Sequence, residues 1–445
     1  STKPDTWNTG RAAGLRPGHD DALGAANSPE GLSSDRTSAY LGHLQGEEAA
    51  RFQPFASIRS RMILYTDPPR HTRLRRPVRR GMSVRLVNQL RPRIQEVVDE
   101  LVDAVIEEGR ADGITDLGAR IPVIVNSELI GIPAADREKV KGWTADFVAA
   151  INAGGANVPI ADLERGQNAV LAMREYFIDL GGARRAEPRE DLLSSLVNRD
   201  EDPLEGDDLV ATCITTLFAG LETGLNLIGN GLLALLRHPD QAALLATHPD
   251  LLPAAVEEFL RYDGPLHLVG RLATEDFTLR ERTIRKGDKV LVMLGAANRD
   301  PEVFPEPHRL DLRRGENKHV AFSHGIHYCP GAELSRVEGE IAFGTILSRL
   351  RDLRLGEGKL EWQPNLSFRG LRNLPLDTLK IAREFVEGLA FSDHDAAFVR
   401  LIVGLAKTVG LKVVAEGIET RAQLDMLREI GVDLGQGYYF AAPMD

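Results

Sequence analysis

The feature that most constrains this chain is the ten-residue stretch Phe322 to Gly331, FSHGIHYCPG. It holds Cys329, one of only two cysteines among 445 residues, set between Gly325 and Gly331. After it, Leu334, Val337 and Ile341 recur at three- and four-residue spacing, the period of a helix with one apolar face. Cys329 is therefore expected in a loop aimed at a helix N-terminus. There the positive end of the helix dipole and free backbone N–H groups favour a thiolate, the form that ligates a metal. Two other readings stay open on these residues alone: a small buried packing cysteine, or a hydrolase nucleophile with a histidine nearby.

Glycines on both sides of the sulfur let the backbone approach a flat, bulky group closely. Haem is such a group, and a thiolate below its iron favours O–O cleavage. His327, two residues before the sulfur, is placed to donate to a haem carboxylate. The stretch closely resembles the signature of the cytochromes P450, the haem-thiolate monooxygenases, with Phe322, Gly325, His327, Cys329 and Gly331 in place. It departs from it at Ser323, where that family usually has Gly, and at Pro330, where an aliphatic residue is commoner.

The resemblance runs from about residue 32 to about residue 376. It implies a mainly α fold with a small β-sheet region, and haem b bound through Cys329 as axial ligand of the iron. The segment before it, residues 1–31, is rich in Gly, Pro, Asp and Asn without a period and is expected to be poorly structured. The family has a helix and strands ahead of GLSSDR, so the N-terminus reads as shortened.

Charge is acidic, 65 Asp and Glu against 54 Lys and Arg, a formal net of -11, which suits a soluble enzyme and argues against general nucleic-acid binding. Two cysteines give no disulfide scaffold and fit a reducing cytoplasm. The opening STKPDTWNTG has no apolar run, so neither signal peptide nor membrane anchor is expected there.

Asp67 to Arg80 carries six arginines and His71 after Pro68-Pro69, a good helix opening. His71 and Arg75 lie four apart on one face. Composition alone leaves a solvated basic face or a nucleic-acid patch open; the resemblance implies instead that His71 and Arg75 hold a haem propionate. Pro77 is expected to kink or end the helix. Residues 84–200 read as successive amphipathic helices broken at Asn152 to Asn157 and at Gly181-Gly182, part of a roof over the substrate by resemblance.

Asp207 to Arg237 is the longest apolar pattern, opened by acids and stopped by Pro239. Its length permits a membrane span, but Glu222, Asn226 and Asn230 lie in the middle, and one central acid costs ~2.5–3.5 kcal/mol in a bilayer. A buried central helix fits better. Within it, Ala219-Gly220-Leu221-Glu222-Thr223 resembles the oxygen-activation motif of the family, which implies that Glu222 and Thr223 are the catalytic proton relay. Gly220 weakens the helix locally by about 1 kcal/mol against Ala, easing a groove for dioxygen. Alone, Glu222 reads as an ordinary buried acid.

Glu258 and Arg261 are three apart, a spacing common in surface pairs. The resemblance makes them a buried lock with Arg309 as third partner, and aligns Arg271 with a further propionate arginine. Lys289 to Leu294 reads as a strand, and Asn298 to Ser323 as an irregular meander.

Residues 377–445 alternate strand and helix patterns, the mark of βα units beside a parallel sheet. DTLKI, VVAEGIET and DLGQGYYF resemble the last part of the Glu-Ala-Leu (EAL) domain, a metal-dependent cyclic diguanylate phosphodiesterase barrel. Lys380, Glu416 and Gln436 match its active-site positions, whereas Ala382 stands where that family has Asp. Three strands cannot close an eight-stranded barrel. The expectation is a partial α/β barrel of about three units, without phosphodiesterase activity, partly exposed or docked on the haem domain.

Together these readings divide the chain into residues 1–31, a haem-thiolate domain over 32–376 and an EAL-like segment over 377–445. They predict a cytoplasmic, monomeric monooxygenase that takes dioxygen and a small organic substrate. Electrons would come from ferredoxin and ferredoxin reductase, docking on a basic patch of Arg73, Arg76, Arg313 and Lys318. No nucleic-acid or membrane partner is expected. A haem-binding sensor or regulatory fusion, with the tail as docking module, is the alternative.

Overall fold

A computed structural model describes residues 12–13, 18–27, 31–37, 41, 44–108, 110–152, 158–198, 202–279, 282–350, 353–377, 380–381, 386, 393–408, 413–415, 417–435, 437 and 439–440. The first part of the chain forms β1 (Ala12–Ala13), α1 (His19–Asn27), β2 (Leu32–Ser33), α2 (Gly46–Arg51), α3 (Gln53–Arg61), α4 (Arg70–Gly81), α5 (Val84–Glu108) and β3 (Arg110–Asp112). Then come α6 (Arg120–Ile130), α7 (Arg137–Asn152), α8 (Ile160–Ala186), α9 (Leu192–Val197), α10 (Gly206–Arg237), α11 (Pro239–Thr247) and α12 (Leu252–Asp263). Strands β4 (Val269–Ala273), β5 (Phe277–Leu279), β6 (Arg282–Ile284) and β7 (Lys289–Val292) follow, with α13 (Leu294–Ala297), α14 (Ala332–Arg349), β8 (Arg354–Leu355) and β9 (Pro375–Asp377). The end of the chain adds β10 (Lys380–Ile381), α15 (Asp393–Thr408), β11 (Val414–Ala415), α16 (Arg421–Ile430) and β12 (Leu434–Gly435). The fold is mainly α with small sheets, as the sequence implies.

Helix α10 organises the rest. Asp207 and Asp208 in its first turn complement the helix dipole, and α6, α8, α12 and α14 pack around it. It is long and apolar enough to cross a membrane, but 67% of its most apolar window is buried inside the protein. That burial makes it a core helix. Its side chains are buried from Leu209 to Phe218 and again from Asn226 to Leu235, while Ala219 to Thr223 are only half-buried. The interruption marks where the helix faces the site.

Two helices run through residues expected to break them. Pro77 lies inside α4, which continues to Gly81; Leu74, Pro77 and Val78 are all buried, and that packing offsets the one lost backbone hydrogen bond. Gly181-Gly182 lies inside α8, where a Cβ on Gly181 would stand 2.9 Å from Leu209. The glycine there serves a close helix–helix approach. Of the expected break at Asn152 to Asn157, residues 153–157 lie outside the described ones.

The segment before residue 32 also departs from expectation. β1 pairs parallel with β7 and α1 packs Ala22 and Ala25 into the core under that sheet; β2, at the start of the haem domain, pairs antiparallel with β4. The sheet order is β1-β7-β4-β2. A two-residue strand carries no period a sequence can show, and its partners lie about 240–280 residues away. From Asn298 to Ser323 the chain is turns and bends, as expected.

The three-stranded sheet β3-β9-β8 fastens residues 375–377 to the helical body, with Leu376 buried in the main core. Asp377 therefore belongs with that body, one residue beyond the expected boundary. The EAL-like segment forms a parallel sheet in the order β10-β11-β12 with α15 and α16, around its own core of residues such as Val399, Val413, Ile418 and Leu427. No closed barrel is present among the described residues. Lys380 opens β10, whereas Ala382, Glu416 and Gln436 lie outside the described residues.

Candidate active site

The cysteine loop is built by backbone geometry. Ser323 and Gly325 adopt φ of 60° and 68°, a 3-10 turn covers Gly325–His327, and the Cys329 N–H donates to the Phe322 carbonyl at 2.9 Å. Helix α14 begins three residues after the sulfur. Ser323, at a position of positive φ, is where glycine would be unstrained.

Burial pushes the Cys329 thiol upward, while the Gly331 N–H, Arg75 and Arg336 pull it down. On the hydrolase reading the nearby base would be His327, but its ring is engaged by Ser34 Oγ, 2.8 Å from Nε2.

Around this loop stands a cluster of buried and half-buried basic side chains. The His71 and His327 rings lie 4.4 Å apart. The Arg75 guanidinium donates to the Tyr328 carbonyl, and Arg271, 6% exposed, donates to its neighbour's Gly270 carbonyl at 3.0 Å. Burial, then Arg75, lowers His71 to about 4 against the pull of Asp67. Burial, then His71, Arg271, Arg75 and Arg36, lowers His327 to about 3. Arg271 falls to about 10 through burial and Arg36. Asp67, the acid that counters His71 and Arg271, is also occupied: it accepts from the Ser33 hydroxyl and the Ser34 N–H. His71 Nε2 is buried with no partner. Two guanidinium groups and two neutral imidazoles, which can donate hydrogen bonds, are complementary to an anion carrying two carboxylates, which is what a haem presents beside the cysteine sulfur. His71, Arg75, Arg271, His327 and Cys329 thus converge as the sequence predicts, and fit that group.

On α10 the Thr223 hydroxyl donates back to the Ala219 carbonyl at 2.6 Å, and burial pushes the Glu222 carboxyl upward. Gly220 faces the Asn126 amide, where a Cβ would stand 2.3 Å from Oδ1. The glycine makes room for a neighbouring helix while α10 stays continuous.

The ion-pair lock is present with a different third member. Arg261 makes two bonds to Glu258, at 2.7 and 2.8 Å, and both side chains are fully buried. The third partner is Arg314, whose Nε lies 3.1 Å from Glu258 Oε2. Arg309 contributes only its carbonyl to Arg261, while its side chain pairs with Glu306. The meander turns between these two arginines, and no sequence period tells which one faces inward.

The expected basic patch is thinner than its composition. Arg73 is held by Asp202 and Asp208, and Lys318 by Glu316, which leaves Arg76 and Arg313 exposed without an ion pair. Sequence reasoning missed Ser34, Arg36 and Arg314. The string GLSSDR is the signal that held the first two.

Comparison with known proteins fits this arrangement. Residues 172–361 match the family described as Cytochrome P450, and residues 363–443 the EAL domain. Cytochrome P450 monooxygenase PikC of Streptomyces venezuelae is 45% identical over 322 residues, 71% of this chain and 75% of the relative. The chain belongs to the cytochrome P450 family. Vitamin D(3) 25-hydroxylase of Pseudonocardia autotrophica is 41% identical over 321 residues, 71% of this P450 and 77% of the relative. Among solved structures, P450BioI in complex with a hexadec-9Z-enoic acid ligated acyl carrier protein superposes with a TM-score of 0.75 at 32% identity, covering 81% of this chain and 91% of that one. Membership in the P450 family brings with it a haem-thiolate cofactor and monooxygenase chemistry. The EAL match begins at residue 363, inside the stretch that still pairs with the helical body through Leu266–Phe368 and β9.

Proposed function

We propose that this P450 uses haem b to oxidise a small, largely apolar organic substrate with dioxygen, drawing electrons from a ferredoxin and its reductase. Bound haem supplies the chemistry: dioxygen, two electrons and two protons put one oxygen atom into the substrate and release the other as water. Cys329 would ligate its iron. His71, Arg75, Arg271 and His327 would hold the propionates; the unpartnered His71 Nε2 and the two guanidinium groups of Arg75 and Arg271 support this assignment. Loss of any one weakens haem retention by leaving a carboxylate unpaired.

Glu222 and Thr223 move protons. Glu222, raised by burial, keeps a proton more readily than a surface acid and gives it to the Thr223 side of the helix. Relatives named vitamin D(3) 25-hydroxylase and 6-deoxyerythronolide B hydroxylase support oxidation of an organic substrate. Arg76 and Arg313 are the cations left to meet an acidic ferredoxin. A monomer in the cytoplasm suits two unpaired cysteines. The tail, three strands where a barrel needs eight, serves as an appendage without phosphodiesterase turnover.

The observation that carries this reading is the half-buried Cys329 at the mouth of α14, beside the converging side chains of His71, Arg75, Arg271 and His327. Purified, haem-supplemented protein reduced under carbon monoxide should show the red-shifted absorption of thiolate coordination, and Cys329→Ala should abolish it. An unchanged spectrum in the variant refutes the assignment.

A further inference from the structure

Arg36 follows β2, where Leu32 pairs with Ala273 and Ser33 with Leu272. That pairing brings its side chain against β4: a Cβ on Gly270 would stand 2.2 Å from Arg36 Nη1. Only a residue without a side chain leaves the guanidinium room there. The Tyr65 ring also lies against it, with the ring centre 5.3 Å from Arg36 Cζ. Arg36 Nε donates to the Ser34 carbonyl at 3.4 Å, and Arg36 makes no ion pair among the described residues. A third guanidinium thus stands beside the basic cluster. Gly270 adjoins Arg271, and Ser34, two residues before Arg36, contacts His327 Nε2. Burial first, and after it the charge of Arg36, lowers Arg271.

Charge balance decides what this guanidinium does. A haem brings two carboxylates to a site that already contains Asp67, which is held by the Ser33 hydroxyl and the Ser34 N–H. His71 and His327, lowered by burial to about 4 and about 3, are neutral at physiological pH and offer hydrogen bonds but no charge. Arg75 and Arg271 therefore meet three carboxylates with two positive charges, and an uncompensated charge away from water is strongly unfavourable. Arg36 supplies the missing one. Arg59 is engaged elsewhere: it is buried on α3, donates to Thr37 Oγ1 at 3.0 Å and stacks on Tyr65, 4.0 Å from the ring centre. Asp35 is exposed, where solvent screens it.

We propose that Arg36 is a further positioning residue for the haem, a third guanidinium that pairs with a propionate from the β2 side of the site, kept in place by Tyr65 and by the lack of a side chain at Gly270. The planar fork of an arginine donates in pairs to a carboxylate, which a lysine's point charge does not reproduce. The contact is one of binding alone, so its loss is read in cofactor retention. The inference rests on the reading that haem binds beside Cys329, and adds to it a residue outside the four assigned above.

The test is transfer of haem from the full-length holoenzyme to excess apomyoglobin, run with the natural cofactor and with the same protein reconstituted with haem dimethyl ester. Arg36→Gln should lose natural haem about tenfold faster than the native protein, the size of one charge-assisted hydrogen bond. With the ester the two proteins should lose it at the same rate, because no carboxylate is left to pair. Arg36→Lys keeps the charge and should fall between them. Gly270→Ala pushes the guanidinium aside without removing it and should also speed the loss of natural haem alone; that variant decides if Arg36→Gln does not fold. Loss of natural haem at the native rate overturns the proposal. So does an acceleration that persists with the ester, which would make Arg36 a brace for β2. A carbon monoxide spectrum insensitive to Cys329→Ala refutes the haem-thiolate reading itself, so the two failures are told apart.

Discussion

Ser34 Oγ lies 2.8 Å from His327 Nε2, which ties the end of β2 to the cysteine loop across 293 residues. The bond fixes the orientation of a ring that also faces His71 at 4.4 Å. One hydrogen bond of this kind contributes about 1 kcal/mol net. Ser34→Ala should therefore speed haem loss to apomyoglobin about fivefold while the carbon monoxide spectrum keeps its thiolate signature. Haem loss at the native rate would show that the contact has no hold on the ring.

Arg314 and Arg309 separate cleanly by substitution. Arg314 Nε touches both oxygens of the fully buried Glu258, at 3.2 and 3.1 Å, so Arg314→Ala should destabilise the fold by about 3 kcal/mol. The Arg309 side chain is exposed and paired with Glu306, and Arg309→Ala should stay within about 0.5 kcal/mol. Urea titrations of the two variants in parallel decide; equal losses would contradict the assigned third partner.

Glu338 gives stability an unusual dependence on pH. The side chain is 3% exposed with Oε1 unpartnered, and burial pushes its carboxyl up to about 8 from the ordinary 4.5. The folded protein keeps a proton that the unfolded chain releases, so this group's contribution worsens as pH rises from about 4.5 to about 8. Glu338→Gln removes that slope. It should be more stable than the native protein at pH 8, by roughly 2 kcal/mol, and nearly equal to it at pH 5. Denaturation curves for both proteins that run parallel between the two pH values would sink the idea.

The end of the helical body is set by β9. A chain stopped after Asp377 retains both neighbours of that strand and the buried Leu376, and should melt at the temperature of the full-length protein's helical body. A chain stopped after Leu374 loses them and should melt several degrees lower, since burying one leucine is worth about 2 kcal/mol. Calorimetry of the two truncations makes the comparison; indistinguishable melting would place the boundary elsewhere.

Much of the site was legible in the sequence because its residues carry local patterns. Cys329 sits in a ten-residue loop, His71 and Arg75 share a helix face, and Glu222 interrupts an apolar run. What escaped depends on pairs distant in the chain. β1 and β2 are two residues long and exist through partners near residues 270–290. Pro77 and Gly181-Gly182 read as breaks because propensity is local, whereas tertiary packing on Val78 and Leu209 decides.

The pairing of β2 with β4 fixes an order of events at birth. Residue 32 leaves the ribosome about 240 residues before its neighbour at 273, a wait of roughly 12–50 s at ordinary synthesis rates of about 5–20 residues per second. Over that interval Ser34 and Arg36 have no floor to stand on. The nascent chain thus completes its pocket from both ends at nearly the same moment, late in translation, and a cofactor arriving earlier meets only half a cradle.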